Sequence, residues 1–293
     1  MRKLIFGCGY LGKRVAKQWL DAGATVYVVT RSPGRAQELC DEGFLPLIGD
    51  VADANTLHDL PAVDTVLFSV GYERPSVQSI HSVYAGGLKN VLRAFSDSEQ
   101  PLIYISTTGV YGPAGGGWID ETTPTNPQRE GGKASLAAEQ LLEQRPNSLI
   151  LRFSGIYGPN RIPYLENLRE AKPISAPSEG WLNLIHVEDG AKVVLAGETW
   201  AHSQPEKQSV FCVSDGNPVI RSEYYHEVAR QIGAPIPTFT TPDPNSPAAA
   251  RARSDKRVSN RKMVDSFHVE LNYPSYLQGL AAILGSNPER FQE

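Results

Sequence analysis

The stretch Arg2-Lys3-Leu4-Ile5-Phe6-Gly7-Cys8-Gly9-Tyr10-Leu11-Gly12, followed by Lys13 to Leu20, decides the fold. A short apolar run breaks into glycines and resumes at helical spacing through Val15, Ala16, Trp19 and Leu20, the pattern of strand, tight turn and helix. Each glycine has its own task. Gly7 makes the turn, Gly9 lets backbone approach a pyrophosphate, and Gly12 lets helix pack closely on strand. The anion then rests on N–H groups at the positive end of the helix, with Tyr10 and Leu11 in the loop that contacts it. A lone G-x-G-x-x-G is a weak signal. Here Gly23 ends the helix, and Thr25 to Thr30 gives a second β-rich run at the distance a βαβ unit requires. The expectation is a dinucleotide site on an α/β, doubly wound parallel sheet of the Rossmann type.

Composition sets outer limits. The chain has 293 residues, enough for about two lobes. A formal charge of -4 and a pI near 5.9 give no electrostatic reason to expect nucleic acid or an anionic membrane as partner. Cys8, Cys40 and Cys212 are odd in number and scattered, which suits a reducing, cytoplasmic setting without a disulfide framework. No metal-ligand cluster stands out, so no metal is expected. No run approaches the ~18 apolar residues of a membrane span. The apolar start is too short for a signal peptide and is already accounted for as a strand.

After the second β run comes Arg31-Ser32-Pro33-Gly34-Arg35, where an acidic residue would bind the ribose hydroxyls of NAD. Arg31 and Arg35 instead suit a 2′-phosphate, which favours NADP and leaves NAD open. Phe44 to Ile48 and Val63 to Val70 read as the next strands; Asp50 and Val51 follow the first, and Ser69 and Gly71 close the second, all on the cofactor side. Asp50 contacts the adenine end or caps a helix from Ala54 to Leu60. Ser82 to Phe95 has helical spacing and leads into the strand Leu102 to Ile105. Ser106, Thr107 and Thr108 then stand at the carboxyl end of a parallel strand, where doubly wound folds hold ligands. Thr107 and Thr108 are the candidates to bond a substrate hydroxyl or carbonyl. Pro113 to Gly117 reads as a flexible loop and candidate lid.

Gly7 to Gly12, Gly49-Asp50, Ser106 to Gly112, Asp120-Glu121 before Pro124, Leu151-Arg152 with Gly155-Ile156-Tyr157-Gly158-Pro159, and His186-Val187-Glu188-Asp189 follow in order. The ordered set resembles the NAD-dependent epimerase/dehydratase family, the extended branch of the short-chain dehydrogenase/reductase superfamily. The resemblance is strongest from Met1 to about Gly197. It implies a Rossmann lobe over residues 1–158, with 183–215 returning to it, and a smaller carboxyl-terminal lobe over 159–182 and 216–293. It also implies a small-molecule substrate between them, often a nucleotide sugar, bound near Tyr157, Asn160, Arg161, Asn183 and His186. A monomer, or a homodimer through Ser82 to Phe95 and Leu136 to Leu142, is the family-based expectation.

The family's catalytic pair is a tyrosine and a lysine one helical turn apart, the lysine lowering the tyrosine pKa so that it exchanges a proton with the substrate hydroxyl. The matching stretch here is Gly131-Gly132-Lys133-Ala134-Ser135-Leu136-Ala137-Ala138-Glu139. Anchored on Leu136 to Glu139, the tyrosine position is Gly131 and the lysine position Ser135. Anchored on Lys133, the tyrosine position is Arg129. Neither alignment supplies a phenol. Thr107 matches the family's polarising serine or threonine. Lys133 is the candidate to reach a phosphate or the nicotinamide ribose, and Tyr111, Tyr157, Tyr164 and His186 are the alternative donors beside their packing roles. The chain resembles the atypical members, which implies an oxidoreductase or epimerase with a non-standard donor, or else a dinucleotide-binding sensor or scaffold.

Towards the end, Val210 to Val213 reads as a last strand, Arg221 to Ile232 as a helix stopped by Gly233, and Pro235 to Ala250 as a loop. Arg251, Arg253, Lys256, Arg257, Arg261 and Lys262 read as a solvated face, or as a source of arginines for an anionic substrate. Leu277 to Leu284 reads as a short docking helix.

Overall fold

The computed structural model describes all residues except 74, 75, 97, 98, 144, 205–207, 244, 245, 247, 248, 250–252, 254 and 286–293. Seven strands form the central sheet: β1 Arg2–Phe6, β2 Thr25–Thr30, β3 Leu45–Ile48, β4 Thr65–Phe68, β5 Leu102–Thr107, β6 Ser148–Phe153 and β7 Ser209–Val213. All are parallel, in the order 3-2-1-4-5-6-7, so strand order reverses between β1 and β4. The helices are α1 Gly12–Asp21, α2 Pro33–Asp41, α3 Gly87–Ala94, α4 Glu130–Gln140, α5 Leu165–Arg169, α6 Val187–Ser203, α7 Arg221–Gln231, α8 Arg261–Phe267 and α9 Tyr276–Leu284.

The strands are apolar on both sides because both faces are covered. Alternate residues of β1 go to opposite layers. Ile5 packs with Val15, Ala16 and Trp19 of α1 and with Val187, Ala191 and Val194 of α6, whereas Leu4 and Phe6 pack with Leu88 and Val91 of α3 and Ala138 of α4. A separate smaller core gathers Tyr157, Leu168, Ile174, Val219, Tyr224, Val228 and Leu280 from α5, α7, α9 and the segments around them.

Three expectations need adjusting. The helix from Ala54 to Leu60 is a single 3₁₀ turn, Ala54–Thr56, capped by Asp53 rather than Asp50. Pro61 disfavours helical backbone at Leu60, and Asp50 instead accepts a bond from the Ala52 N–H at 3.0 Å. The helix at Ser82 opens as a wider π turn, Ser82–Gly86, before α3. The loop at Pro235 carries a short strand, Phe239–Thr240, paired parallel with Ile174–Ser175.

The loop Pro113 to Gly117 is tied down rather than free. Ala114 and Gly116 both donate to the Asp255 carbonyl, Arg257 donates to the Gly117 carbonyl, and Trp118–Ile119 pairs with Arg257–Val258. The Arg257 guanidinium lies 5.1 Å from the rings of both Trp118 and Trp181, so this residue of the basic run is held between two indoles. Arg251 lies outside the described residues.

Candidate active site

At the carboxyl ends of β1, β2, β4 and β5, beside the strand-order reversal, lies a cleft of about 910 Å³. Its floor is the glycine turn. Gly7 has φ +91°, and a Cβ there would stand 2.5 Å from the Ser69 carbonyl oxygen, so only glycine fits. The Ser69 hydroxyl donates to the Gly7 carbonyl at 2.7 Å and joins β4 to the turn. A Cβ on Gly12 would overlap that same carbonyl, while one on Gly9 would meet nothing within 4 Å and would project into open space. Helix α1 has Leu11 as its N-cap and no side-chain cap, leaving its first N–H groups to an anion. This cradle fits the pyrophosphate of a dinucleotide. Cys8 lines it, but burial pushes its thiol up to about 11, so it stays protonated.

Leu11, Asp50, Val51 and Gly71 also line the cleft. Tyr10 lines it with its ring between the guanidinium groups of Arg14 and Arg161, at 4.4 and 5.0 Å, and donates to the Pro159 carbonyl at 2.9 Å. Arg31, Ser32 and Arg35 line the end beyond β2. Arg31 is exposed and pairs with Glu73 at 3.3 Å, and Arg35 pairs with Glu38. Both pairs are solvent-facing and weak enough to exchange for a phosphate.

A second cavity of about 480 Å³ adjoins the first. Thr107, Arg129, Phe153, Ser154 and Gly155 line both. Its own walls include Thr108, Tyr164, Trp181, Asn183, Arg221, Tyr224, Tyr225 and Lys256. Thr107 Oγ1 accepts from the Gly109 N–H at 3.0 Å, which fixes its rotamer. Lys256 is buried, its Nζ 3.5 Å from the Tyr111 carbonyl oxygen, and burial together with the charge of Arg129 holds its ammonium down at about 8. Asn183 secures that segment: its Nδ2 donates to the Lys256 carbonyl at 2.9 Å and its Oδ1 accepts from the Val258 N–H at 2.7 Å. The hydroxyls of Ser154 and Tyr224 are buried without a hydrogen-bond partner among the described residues.

Helix α4 brings Gly131 and Ser135 to the cleft, one turn apart, while Lys133 is exposed, pairs with Glu130 at 2.8 Å and lines neither cavity. The close approach has a local cause. A Cβ at Gly132 would overlap the Gly109 carbonyl, so α4 sits directly on the turn that follows β5.

The other expected residues are spread out. Arg161 lines the cofactor cleft. Asn160 is exposed, with φ +61°, and lines neither cavity. Tyr157 is in the small core, its hydroxyl 3.5 Å from the Ser275 carbonyl. His186 is buried; its Nδ1 accepts from the Glu188 N–H at 3.3 Å and its ring lies 4.0 Å from that of Tyr273, with burial lowering its pKa. Tyr164 lines the second cavity and donates to the Ser175 carbonyl at 3.1 Å.

Tyr111 belongs to a buried network behind the cavities. Arg152 of β6 grips Glu139 of α4 through Nε and Nη2, the latter at 2.6 Å, and donates from Nη1 to the Tyr111 hydroxyl at 2.7 Å. Ser106 donates to Glu139 as well. The network locks α4, β5 and β6 together immediately beneath Thr107.

Among the described residues no group of three or more His, Cys, Asp or Glu is placed to hold a metal, and no helix is long and apolar enough to cross a membrane. The fold and cradle define a dinucleotide-binding protein of the short-chain dehydrogenase/reductase type. The chain belongs to the NAD dependent epimerase/dehydratase family, whose model matches residues 4–210. It is 27% identical over 274 residues to short-chain dehydrogenase/reductase family 42E member 1 of Danio rerio, covering 80% of this chain and 69% of that one. It superposes with a TM-score of 0.76 on a putative NAD-dependent epimerase/dehydratase from Methylobacillus flagellatus, at 30% identity over 97% of this chain and 98% of that one. UDP-glucuronic acid 4-epimerase from Bacillus cereus, in complex with UDP-glucuronic acid and NAD, shares the fold, with a TM-score of 0.78 at 18% identity, covering 97% and 98% of the two chains. The family and its structural neighbours bind NAD(P), with NAD in the complexes.

Proposed function

We propose that the protein is a cytoplasmic, NADP-preferring oxidoreductase or epimerase that works on a hydroxyl or carbonyl carbon of a small molecule held in the 480 Å³ cavity. The observation that carries this is the shared lining: the cleft and the cavity meet at Thr107, Arg129, Phe153, Ser154 and Gly155. A dinucleotide in the cleft would supply the hydride donor or acceptor. The residues 1–158 and 183–215 would hold it, and the remainder the substrate, as a monomer or homodimer. The nucleotide sugar held by the Bacillus cereus epimerase supports a sugar-like substrate.

Thr107 accepts from a backbone N–H, which leaves its own O–H to donate to a substrate oxygen. Gly131 supplies no phenol at the family's tyrosine position, and the proton passes through another group. Arg31 and Arg35 at the outer end favour a 2′-phosphate. A second reading, a dinucleotide sensor without turnover, is favoured by Gly131 and Ser135 standing where the family keeps its catalytic pair.

The test is a fluorescence titration with NADPH and NADH, followed by turnover assays with nucleotide sugars and small carbonyl compounds. Arg31→Asp is expected to weaken NADPH about tenfold and to leave NADH nearly unchanged. Thr107→Val is expected to lower kcat roughly 100-fold. Binding without turnover across the panel leaves the sensor; binding of neither nucleotide ends both readings.

A further inference from the structure

The proton donor is the part of the site that α4 leaves out. Gly131 and Ser135 line the cofactor cleft one turn apart and carry neither a phenol nor an ammonium. A Cβ built on Gly131 would meet Ile80 Cδ1 at 3.7 Å, so the segment leading into the π turn Ser82–Gly86 borders the space where that side chain would grow. The same segment is tied to the start of α4, with His81 Nε2 3.5 Å from Glu130. Ile80 and Tyr84 are four residues apart on this coil and share a face, and Tyr84 lines the cleft.

Among the described residues three phenols line the cleft: Tyr10, Tyr84 and Tyr104. Tyr10 donates to the Pro159 carbonyl and lies between two guanidinium groups. Tyr104 is buried in β5 with its hydroxyl against that of Ser135. Tyr84 is half-buried, and its oxygen takes a hydrogen bond from the Tyr72 backbone, which leaves the O–H to donate. Tyr164, Tyr224 and Tyr225 line the second cavity but not the cleft.

We propose that Tyr84 is the proton donor, its phenol entering from the π turn the corner that Gly131 leaves open and meeting the substrate oxygen bonded by Thr107. This rests on the reaction proposed above and supplies its unassigned group. In the reducing direction a hydride joins the carbonyl carbon as the nicotinamide is oxidised, the π pair of the C=O bond moves to oxygen, and the Tyr84 O–H bond breaks to protonate it. The phenolate then recovers a proton from solvent.

The missing lysine sets a preferred direction. Burial raises the Tyr84 phenol above its ordinary value, so it keeps its proton at neutral pH. The charged groups on the elements around it are largely paired: Lys133 and His81 with Glu130, and Glu73 with Arg31, while Arg129 opens α4 and lines the cleft. A protonated phenol is an acid, so carbonyl reduction should outrun alcohol oxidation, which needs the phenolate.

Two readouts on the full chain test the donor. In the first, NADPH oxidation by p-nitrobenzaldehyde and diacetyl is followed at pH 7. Tyr84→Phe should lower kcat about 100-fold or more, with KM and NADPH affinity within about threefold and the thermal midpoint held. Tyr84→His, which puts an acid of ordinary pKa near 6.5 in its place, should introduce a fall in kcat as pH rises through about that value. In the second, fluorine NMR of the chain carrying meta-fluorotyrosine follows the phenol itself, its signal being the one lost in Tyr84→Phe. Saturation with NADP+ should shift that signal and lower its titration midpoint, because a cationic ring beside a phenol favours the phenolate. A signal indifferent to bound NADP+, a Tyr84→Phe rate within about threefold of the parent, or a Tyr84→His profile like the parent's overturns Tyr84 as donor and leaves the oxidoreductase standing. NADPH binding without turnover by the parent overturns the donor and the oxidoreductase together, and a failure of NADPH to bind overturns the cofactor reading as well.

Discussion

Glu139→Gln is the change whose cost is best defined by the structure. The carboxylate is buried, as is Arg152, with side-chain exposures of 5% and 8%. It accepts from Arg152 Nε at 3.1 and 3.2 Å, from Nη2 at 2.6 Å, and from Ser106. Removing one partner of such a pair leaves the other charge stranded and costs about 3–5 kcal/mol. An amide keeps the volume and one acceptor oxygen, and Arg152 still donates to Tyr111, so the lower end, about 3 kcal/mol, is expected. Against a domain stability of roughly 5–15 kcal/mol that is a large share. Urea unfolding followed by tryptophan fluorescence measures it as a fall in the midpoint at unchanged slope. The paired replacement Glu139→Leu with Arg152→Met removes both charges, and about 1 kcal/mol or less should separate it from the parent. A single change costing under about 1 kcal/mol, or a double as damaging as the single, would refute the assignment of Glu139 and Arg152 as a buried charge pair.

The glycine turn separates binding from folding. Gly9→Val places its side chain in open space and should leave stability within about 0.5 kcal/mol while weakening NADPH about 100-fold, whereas Gly7→Ala, at φ +91° against the Ser69 backbone, should cost about 2 kcal/mol or more in unfolding. Asp215 supplies a pH dependence. Burial raises its carboxyl to about 7 from an unfolded value near 3.8, so its contribution to stability is full below the lower value and is lost as pH rises through the upper one. Asp215→Asn keeps the shape and the bond from the Asn217 N–H, and should stabilise the chain at pH 8 by up to about 4 kcal/mol and hardly at all at pH 4, read from thermal melts at the two values.

The cofactor half of the site was legible because its chemistry is local. Gly7, Gly9 and Gly12 are bound to one another by a turn and a helix start, and spacing alone places them. The strands of the sheet were legible for the same reason, since period and apolar run reflect contacts within a few residues. Thr107 could be placed by its position at a strand end. The substrate half was not legible because it depends on long-range approach. Lys256 stands in a basic run that reads as solvated, and only its seating behind Thr107 makes it a buried cation. Arg129 stands out in the sequence only as the residue that an alignment on Lys133 puts at the family's tyrosine position. The one local clue was the pair Gly131-Gly132 inside a helix, which marks the close docking of α4 on the turn after β5 and hence the loop where Arg129 turns inward. Asn183 was expected at the substrate and does line the cavity, yet both ends of its amide are engaged by the backbone of residues 256 and 258.

That late segment also orders events during synthesis. Every described residue lining the large cleft has been made once Arg161 is, but the described walls of the smaller cavity wait for Lys256, and the strand Trp118–Ile119 waits just as long for its partner Arg257–Val258. A chain emerging from the ribosome thus carries the described lining of the large cleft well before that of the smaller cavity.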